Sequence, residues 1–171
     1  YFKDEDRYSY FNRISFNLTQ MKELSRFSKK HNISFFSSPF SIAAVNILEK
    51  VGVKFYKIAS GEVTNIPMLD RISKTNKTVF LSTGMSTWHE IQNAYKHLKN
   101  KKNQVIVMQC TSLYPCRSNK VGLNIIKKIN KNFRYSGFSD HTLTSTAAIG
   151  AVFHGVNVIE KHFTLSNKMY G

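Results

Sequence analysis

With 171 residues, 42% of them apolar and 13% aromatic, the chain has the composition of a globular domain with its own core, which excludes a disordered or fibrous one. Its 25 Lys+Arg against 10 Asp+Glu give a net charge of +15, scattered through Lys/Asn-rich stretches such as 99–103 and 127–131; these read as solvated helix faces and not as a nucleic-acid surface, and the same positive field suits an anionic small substrate. Two cysteines, Cys110 and Cys116, without CxxC or zinc-type spacing, and no apolar run near the roughly 18 residues of a membrane span, point to a reduced, cytoplasmic protein with no membrane segment.

In chain order, residues 1–17 mix Tyr1, Phe2, Tyr8, Tyr10, Phe11 and Phe16 with charges and read as a loop packed by its aromatics. A helix is expected from Thr19, with Met21, Leu24 and Phe27 as a narrow apolar stripe and Lys29, Lys30 and His31 at its C-terminal end. Residues 33–39 predict a short strand stopped by Pro39. Ser41 is placed to cap the next helix, with Ile42, Val45 and Leu48 on one face, and Gly52 to end it. A strand over 53–58 leads into Ala59-Ser60-Gly61-Glu62, then a short helix begins at Pro67. A strand over 79–81 ends in Ser82-Thr83-Gly84, and Thr87 with Glu90 forms a capping-box signature before Ile91, Ala94, Tyr95 and Leu98. The strand over 105–110 precedes Thr111-Ser112-Leu113-Tyr114-Pro115, and Leu123, Ile126 and Ile129 mark another helix. A short strand over 136–138, a small-residue helix over 144–155 and a strand over 156–159 complete the pattern.

Strand–helix units recurring at roughly 20–30 residue spacing indicate parallel βα units in one domain. Each polar cluster falls at the C-terminal end of a strand: Ser37/Ser38, Ser60/Glu62, Ser82/Thr83, Ser112/Tyr114, Ser139/His141 and His162. That regularity predicts a (β/α)8 TIM barrel with about six of its strands present. A doubly wound sheet is the alternative, but no glycine-rich phosphate turn follows a first strand. Ser139 and His141, two apart, share a face, and His162 closes the following strand in the same way. Such a pair can hold an anion and a metal, or act as acid and base.

Six motifs in order carry a resemblance: Phe36-Ser37-Ser38-Pro39-Phe40, Lys57-Ile58-Ala59-Ser60-Gly61-Glu62, Leu81-Ser82-Thr83-Gly84-Met85, Gln109-Cys110-Thr111-Ser112-Leu113-Tyr114-Pro115, Ser139-Asp140-His141-Thr142 and Glu160-Lys161-His162-Phe163. Across essentially its whole length the chain resembles the sialic acid synthase family, which includes N-acetylneuraminate, legionaminate and pseudaminate synthases. The resemblance implies strands three to eight of the barrel, residues 1–171 as one partial synthase domain, and an N-terminal pair of strands and a C-terminal antifreeze-like domain missing. Only Gly171 remains of the family's Gly-Pro-Asp, and an incomplete barrel is expected to leave two sheet edges open.

The resemblance also implies the chemistry. Members condense phosphoenolpyruvate with an N-acetylated mannosamine-type aldehyde sugar, giving a nine-carbon 2-keto acid and phosphate, with Mn2+, or Mg2+ or Co2+ in its place. The full-length proteins are homodimers, and no nucleic acid or membrane partner is expected. By the family pattern Lys57, Ser38, Ser60, Ser82, Ser112 and Ser139 bind phosphoenolpyruvate, Tyr114 contacts the sugar, and His141 and His162 are the metal ligands. Glu62 takes part in proton transfer and sugar positioning, with Lys57 beside it in the catalytic set. Asp140 orients a neighbour and Glu160 is a supporting partner. Ser112 stands where many relatives have asparagine. Lys57 differs in strand parity from Ser60 and Glu62, so a bend near Gly61 is needed for them to converge. Other readings are a different phosphoenolpyruvate-using barrel synthase, an inactive fragment, or a basic binding module.

Overall fold

Strand alternation decides which residues face the site. In Phe55-Tyr56-Lys57-Ile58, Tyr56 and Ile58 are fully buried while Phe55 and Lys57 are half-buried on the opposite face. The computed structural model describes residues 5–100, 102–166 and 168–169; Tyr1, Phe2 and Gly171, part of the expectations above, lie outside them.

The helices are α1 (Arg7–Ile14), α2 (Leu18–Lys30), α3 (Ile42–Val51), α4 (Ile66–Ser73), α5 (Trp88–Leu98), α6 (Asn124–Asn132) and α7 (Thr146–Phe153). The strands are β1 (Phe55–Ile58), β2 (Thr78–Ser82), β3 (Val105–Cys110), β4 (Tyr135–Asp140) and β5 (Val158–Lys161). All neighbours pair in parallel, in the order β1-β2-β3-β4-β5. Each crossover carries a helix, which is the half-barrel form of the expected βα architecture.

The helical face holds the main core. Tyr56, Ile58, Val79, Leu81 and Val107 from the strands meet Leu48, Met68, Leu69, Ile72, Ala94 and Leu98 from the helices. Burying each of the Val, Leu, Ile and Met side chains among them is worth about 1.5–3 kcal/mol. A second cluster of Ile126, Phe138, Ala147 and Ala151 seats α6 and α7 on β4. On the inner face, Phe36, Phe55 and Phe80 form a ring cluster with centroids 5.4–5.9 Å apart.

Caps fix the helix starts. Ser41 Oγ accepts from the Ala44 N–H at 3.1 Å, and Gly52 at φ +80° ends α3. Glu90 N–H donates to Thr87 Oγ1 at 3.3 Å while Thr87 N–H donates to Glu90 Oε2 at 2.7 Å.

Two expectations are corrected. Residues 33–39 run extended but form no strand, so five strands are described where six were expected. Their tie to the sheet is one 3.4 Å bond from Lys57 N–H to the Ser37 carbonyl, and Pro39 has no N–H to give. The aromatic loop at 1–17 instead contains α1, capped by Asp6, which accepts from Ser9 N–H, and braced by Arg13 to Glu5. This helix buries no residue, and Tyr8 and Phe11 are 80% and 59% exposed. No described helix is long and apolar enough to cross a membrane.

Candidate active site

The inner-face residues at the strand C-termini enclose a cavity of about 310 Å³. Lys57 from the end of β1, Ser60 from the turn after it and Ser82 from the end of β2 line it. Cys110, Ser112 and Tyr114 come from β3 and its following loop; Ser139, His141 and Glu160 come from β4, its following loop and β5. Strand parity selects them, because Ser82 lies opposite Met108, Cys110 opposite Ser139, and Ser139 opposite Glu160 in the ladders.

Lys57 is the cation of the cavity. Its Nζ donates to Ser82 Oγ at 2.7 Å and lies 3.4 Å from Glu160 Oε2, with its side chain only 13% exposed. Ser139 Oγ donates to Glu160 Oε1 at 2.9 Å. Ser60 Oγ accepts from Gly84 N–H at 3.1 Å, which places that hydroxyl next to the turn after β2. A Cβ on Gly84 would stand 2.9 Å from Ser60 Oγ and nearer still to Ser112 Oγ, so the close approach of the two hydroxyls requires glycine there.

The histidines face one another beside this cradle. Their ring centroids are 5.4 Å apart, and Tyr114 stacks at 4.1 Å from His141 and meets His162 edge-on at 5.7 Å. His141 Nδ1–H donates to the Thr111 carbonyl at 2.8 Å, which leaves the Nε2 lone pair free for a ligand, with Ser139 Oγ 3.4 Å away. Its own carbonyl accepts from Cys116 N–H at 2.9 Å. The flanking residues are clamped: Asp140 accepts from Thr142 N–H and from Lys161 Nζ, both at 2.8 Å, and Lys161 Nζ also donates to the Thr142 carbonyl. Burial alone would push Asp140 up, but the Lys161 ammonium and the Thr142 N–H outweigh it and hold the carboxyl below its ordinary range. Burial, then the Asp140 charge, pushes the Cys116 thiol up, so it is an inert packed thiol.

A fixed imidazole tautomer with a free Nε2, facing a second imidazole, fits a divalent ion held by few protein ligands. Among the described residues no group of three or more His, Cys, Asp or Glu could close a structural metal site. The donor set therefore suits an exchangeable ion completed by water or substrate.

The structure thus gathers Lys57, Ser60, Ser82, Ser112, Tyr114, Ser139 and His141 around one cavity, with His162 at its edge. Two sequence candidates stand apart. Ser38 is half-buried in the extended segment and does not line the cavity. Glu62 ends the 3-10 turn Ser60–Glu62, and its Oε2 accepts from Asn65 Nδ2 at 2.7 Å. The bend expected near Gly61 brings in Ser60 but turns Glu62 toward α4. The cavity also includes Glu160, which the sequence reading placed only as a supporting partner. The signal was present in the sequence, since Glu160 precedes His162 by two residues, the same spacing as Ser139 and His141.

A family model described as the NeuB family matches residues 2–171. An N,N'-diacetyllegionaminic acid synthase of Campylobacter jejuni is 40% identical over 172 residues, 98% of this chain and 52% of that protein. A pseudaminic acid synthase of Helicobacter pylori is 32% identical over 167 residues, 96% of this chain and 49% of that protein. The crystal structure of an N-acetylneuraminic acid (sialic acid) synthetase from Leptospira borgpetersenii, in complex with citrate, superposes with a TM-score of 0.89 at 30% identity. That match covers 96% of this chain and 59% of the synthetase. The chain spans about half the length of the curated relatives it matches.

Proposed function

The chain belongs to the NeuB family of sialic-acid-type synthases, and from that premise we propose that it condenses phosphoenolpyruvate with an N-acetylated aldehyde sugar. The products are a nine-carbon 2-keto acid and inorganic phosphate. One observation carries this reading: a buried-stem cation and four serine hydroxyls converge on the same cavity as a ligand-ready imidazole.

Lys57 Nζ and the hydroxyls of Ser60, Ser82, Ser112 and Ser139 match a small dianion that carries both phosphate and carboxylate. Glu160 now occupies the Lys57 ammonium and the Ser139 hydroxyl, so an incoming anion exchanges with it for those partners. Tyr114, 68% exposed at the mouth, meets the sugar. His141 and His162 would hold the divalent ion, Mn2+ or Mg2+ or Co2+, which supplies Lewis-acid polarisation of the aldehyde oxygen.

C3 of phosphoenolpyruvate adds to the aldehyde carbon, whose oxygen becomes a hydroxyl. Water adds at C2 and gives up a proton, and the C2–O bond then breaks so that phosphate departs with the bridging oxygen. Glu62 serves proton transfer in this reading after its carboxylate swings from Asn65, a rotation its half-exposed position permits. Ser38 supports the cradle from the segment beside β1. The reading carries with it a cytoplasmic location and a homodimer.

The test uses the protein at full length, stripped with a chelator and resupplied with Mn2+. Phosphate release with phosphoenolpyruvate and either N-acetylmannosamine or a 2,4-diacetamido-trideoxy sugar is expected to need the ion. His141→Ala and His162→Ala are expected to lose both Mn2+ binding and turnover with melting temperature retained. Mn2+ binding unchanged in both variants would overturn the metal assignment.

A further inference from the structure

The turn after β2 places a large apolar side chain where the backbone disfavours one. Ser86 N–H donates to the Thr83 carbonyl at 3.3 Å, closing a turn with Gly84 second and Met85 third. Met85 has φ +65°. A third turn residue in the left-handed region is ordinarily glycine or asparagine, because a Cβ there crowds the following carbonyl. The other described non-glycine residues with positive φ are Asn32 and Asn76, a type that tolerates the region.

Here the glycine stands one position earlier. Gly84 is required by its contact with Ser60 Oγ and Ser112 Oγ, and methionine is left with the left-handed conformation. Packing does not account for it: Met85 is 78% exposed and belongs to neither core cluster. It nevertheless lines the cavity, on a rim that also carries Tyr114. A strained residue that contributes little to the core, at the mouth of a polar cradle, is the pattern expected where the side chain is used on a ligand. Its unbranched thioether adapts to an irregular apolar surface.

We propose that Met85 is a substrate-contacting residue that covers an apolar part of the sugar, its acylamino methyl or C–H face, and sets affinity for the sugar without setting affinity for the anion below. The proposal rests on the condensation reading. Two features make it specific: the side chain lines the cavity while staying largely exposed, and the backbone conformation restricts where it can reach.

The test compares Met85→Ala, Met85→Gly and Met85→Leu in the protein at full length. KM for the sugar is expected to rise about fivefold to tenfold in the Ala and Gly variants, to return toward wild type in Leu, and to leave KM for phosphoenolpyruvate within about twofold. Melting temperature is expected to hold or to rise by about 2–4 °C in Met85→Gly, because glycine relieves the left-handed strain. Unchanged sugar KM in an active enzyme would overturn the role of Met85 and leave the condensation standing. A melting temperature that falls in Met85→Gly would overturn it too, because the side chain would then be needed for packing. A wild-type protein that condenses neither sugar removes the condensation reading, and this proposal with it.

Discussion

Lys161→Met tests the clamp that holds the loop carrying His141. The Asp140 side chain is wholly out of solvent and its Oδ2 takes the Lys161 ammonium at 2.8 Å, while the Lys161 side chain is 30% exposed. Removing one partner of a buried pair costs about 3–5 kcal/mol because an uncompensated charge remains. Asp140 keeps its bond from Thr142 N–H, and Lys161 retains water contact, so the loss here is about 2–3 kcal/mol. For a domain of this size that is a fall in melting temperature of about 5–10 °C. Lys161→Met/Asp140→Asn should recover most of it, since a neutral amide oxygen still accepts from Thr142 N–H and no buried charge is stranded. The assay is reversible thermal or urea unfolding of wild type, both singles and the double at neutral pH. Mn2+ binding should weaken in Lys161→Met, because His141 lies between the two clamped residues. Stability of Lys161→Met within about 0.5 kcal/mol of wild type, or a double variant worse than the sum of the singles, would refute the reasoning.

Glu49 ties α3 to β1 and to the start of β2 through the Tyr56 hydroxyl and Lys77 Nζ. Burial pushes its carboxyl up, but Lys77 and Tyr56 outweigh that and hold it below its ordinary value of 4.5. A depressed carboxyl stabilises the fold fully above that value and loses its contribution as pH falls through the folded one. Melting curves of wild type and Glu49→Gln should therefore differ at pH 7 and draw together as pH falls below 4.5; a gap that stays constant to about pH 3 contradicts the linkage. Gly84→Ala forces Ser60 Oγ and Ser112 Oγ apart and should cost about 1–3 kcal/mol, with KM for phosphoenolpyruvate raised about tenfold. Wild-type KM in that variant would show that the two hydroxyls do not act on the anion.

The parts legible in the sequence are those fixed by local chemistry or by repetition. Thr87 and Glu90 form the expected box, Ser41 caps α3, and Gly52 takes the left-handed end. Four of the recurring serines located the cavity: parity and parallel pairing set Ser82 and Ser139 on its face, and the turns after β1 and β3 bring in Ser60 and Ser112, while Ser38 stays outside. What escaped depends on contacts that periodicity does not encode. Helix α1 buries no residue, and its Phe11 and Ile14 stay exposed, so its aromatics read as loop packing. Residues 33–39 have strand-like composition, but with a single backbone bond to β1 they stay outside the ladder. The family pattern puts Glu62 in the site beside Ser60, but the tight 3-10 turn sends the two side chains different ways. The strain at Met85 is visible only in the backbone, since Gly84-Met85 in sequence suggests that the glycine takes the unusual conformation.

Phosphoenolpyruvate labelled with 18O in the bridging C2–O position tests the central claim most directly. The full-length protein is incubated with Mn2+, labelled substrate and each N-acetylated sugar in turn, and phosphate and 2-keto acid are analysed by mass. The account predicts a nine-carbon acid formed in step with phosphate that retains the label, from cleavage between C2 and oxygen. Phosphate without label, or no phosphate with either sugar, would contradict it.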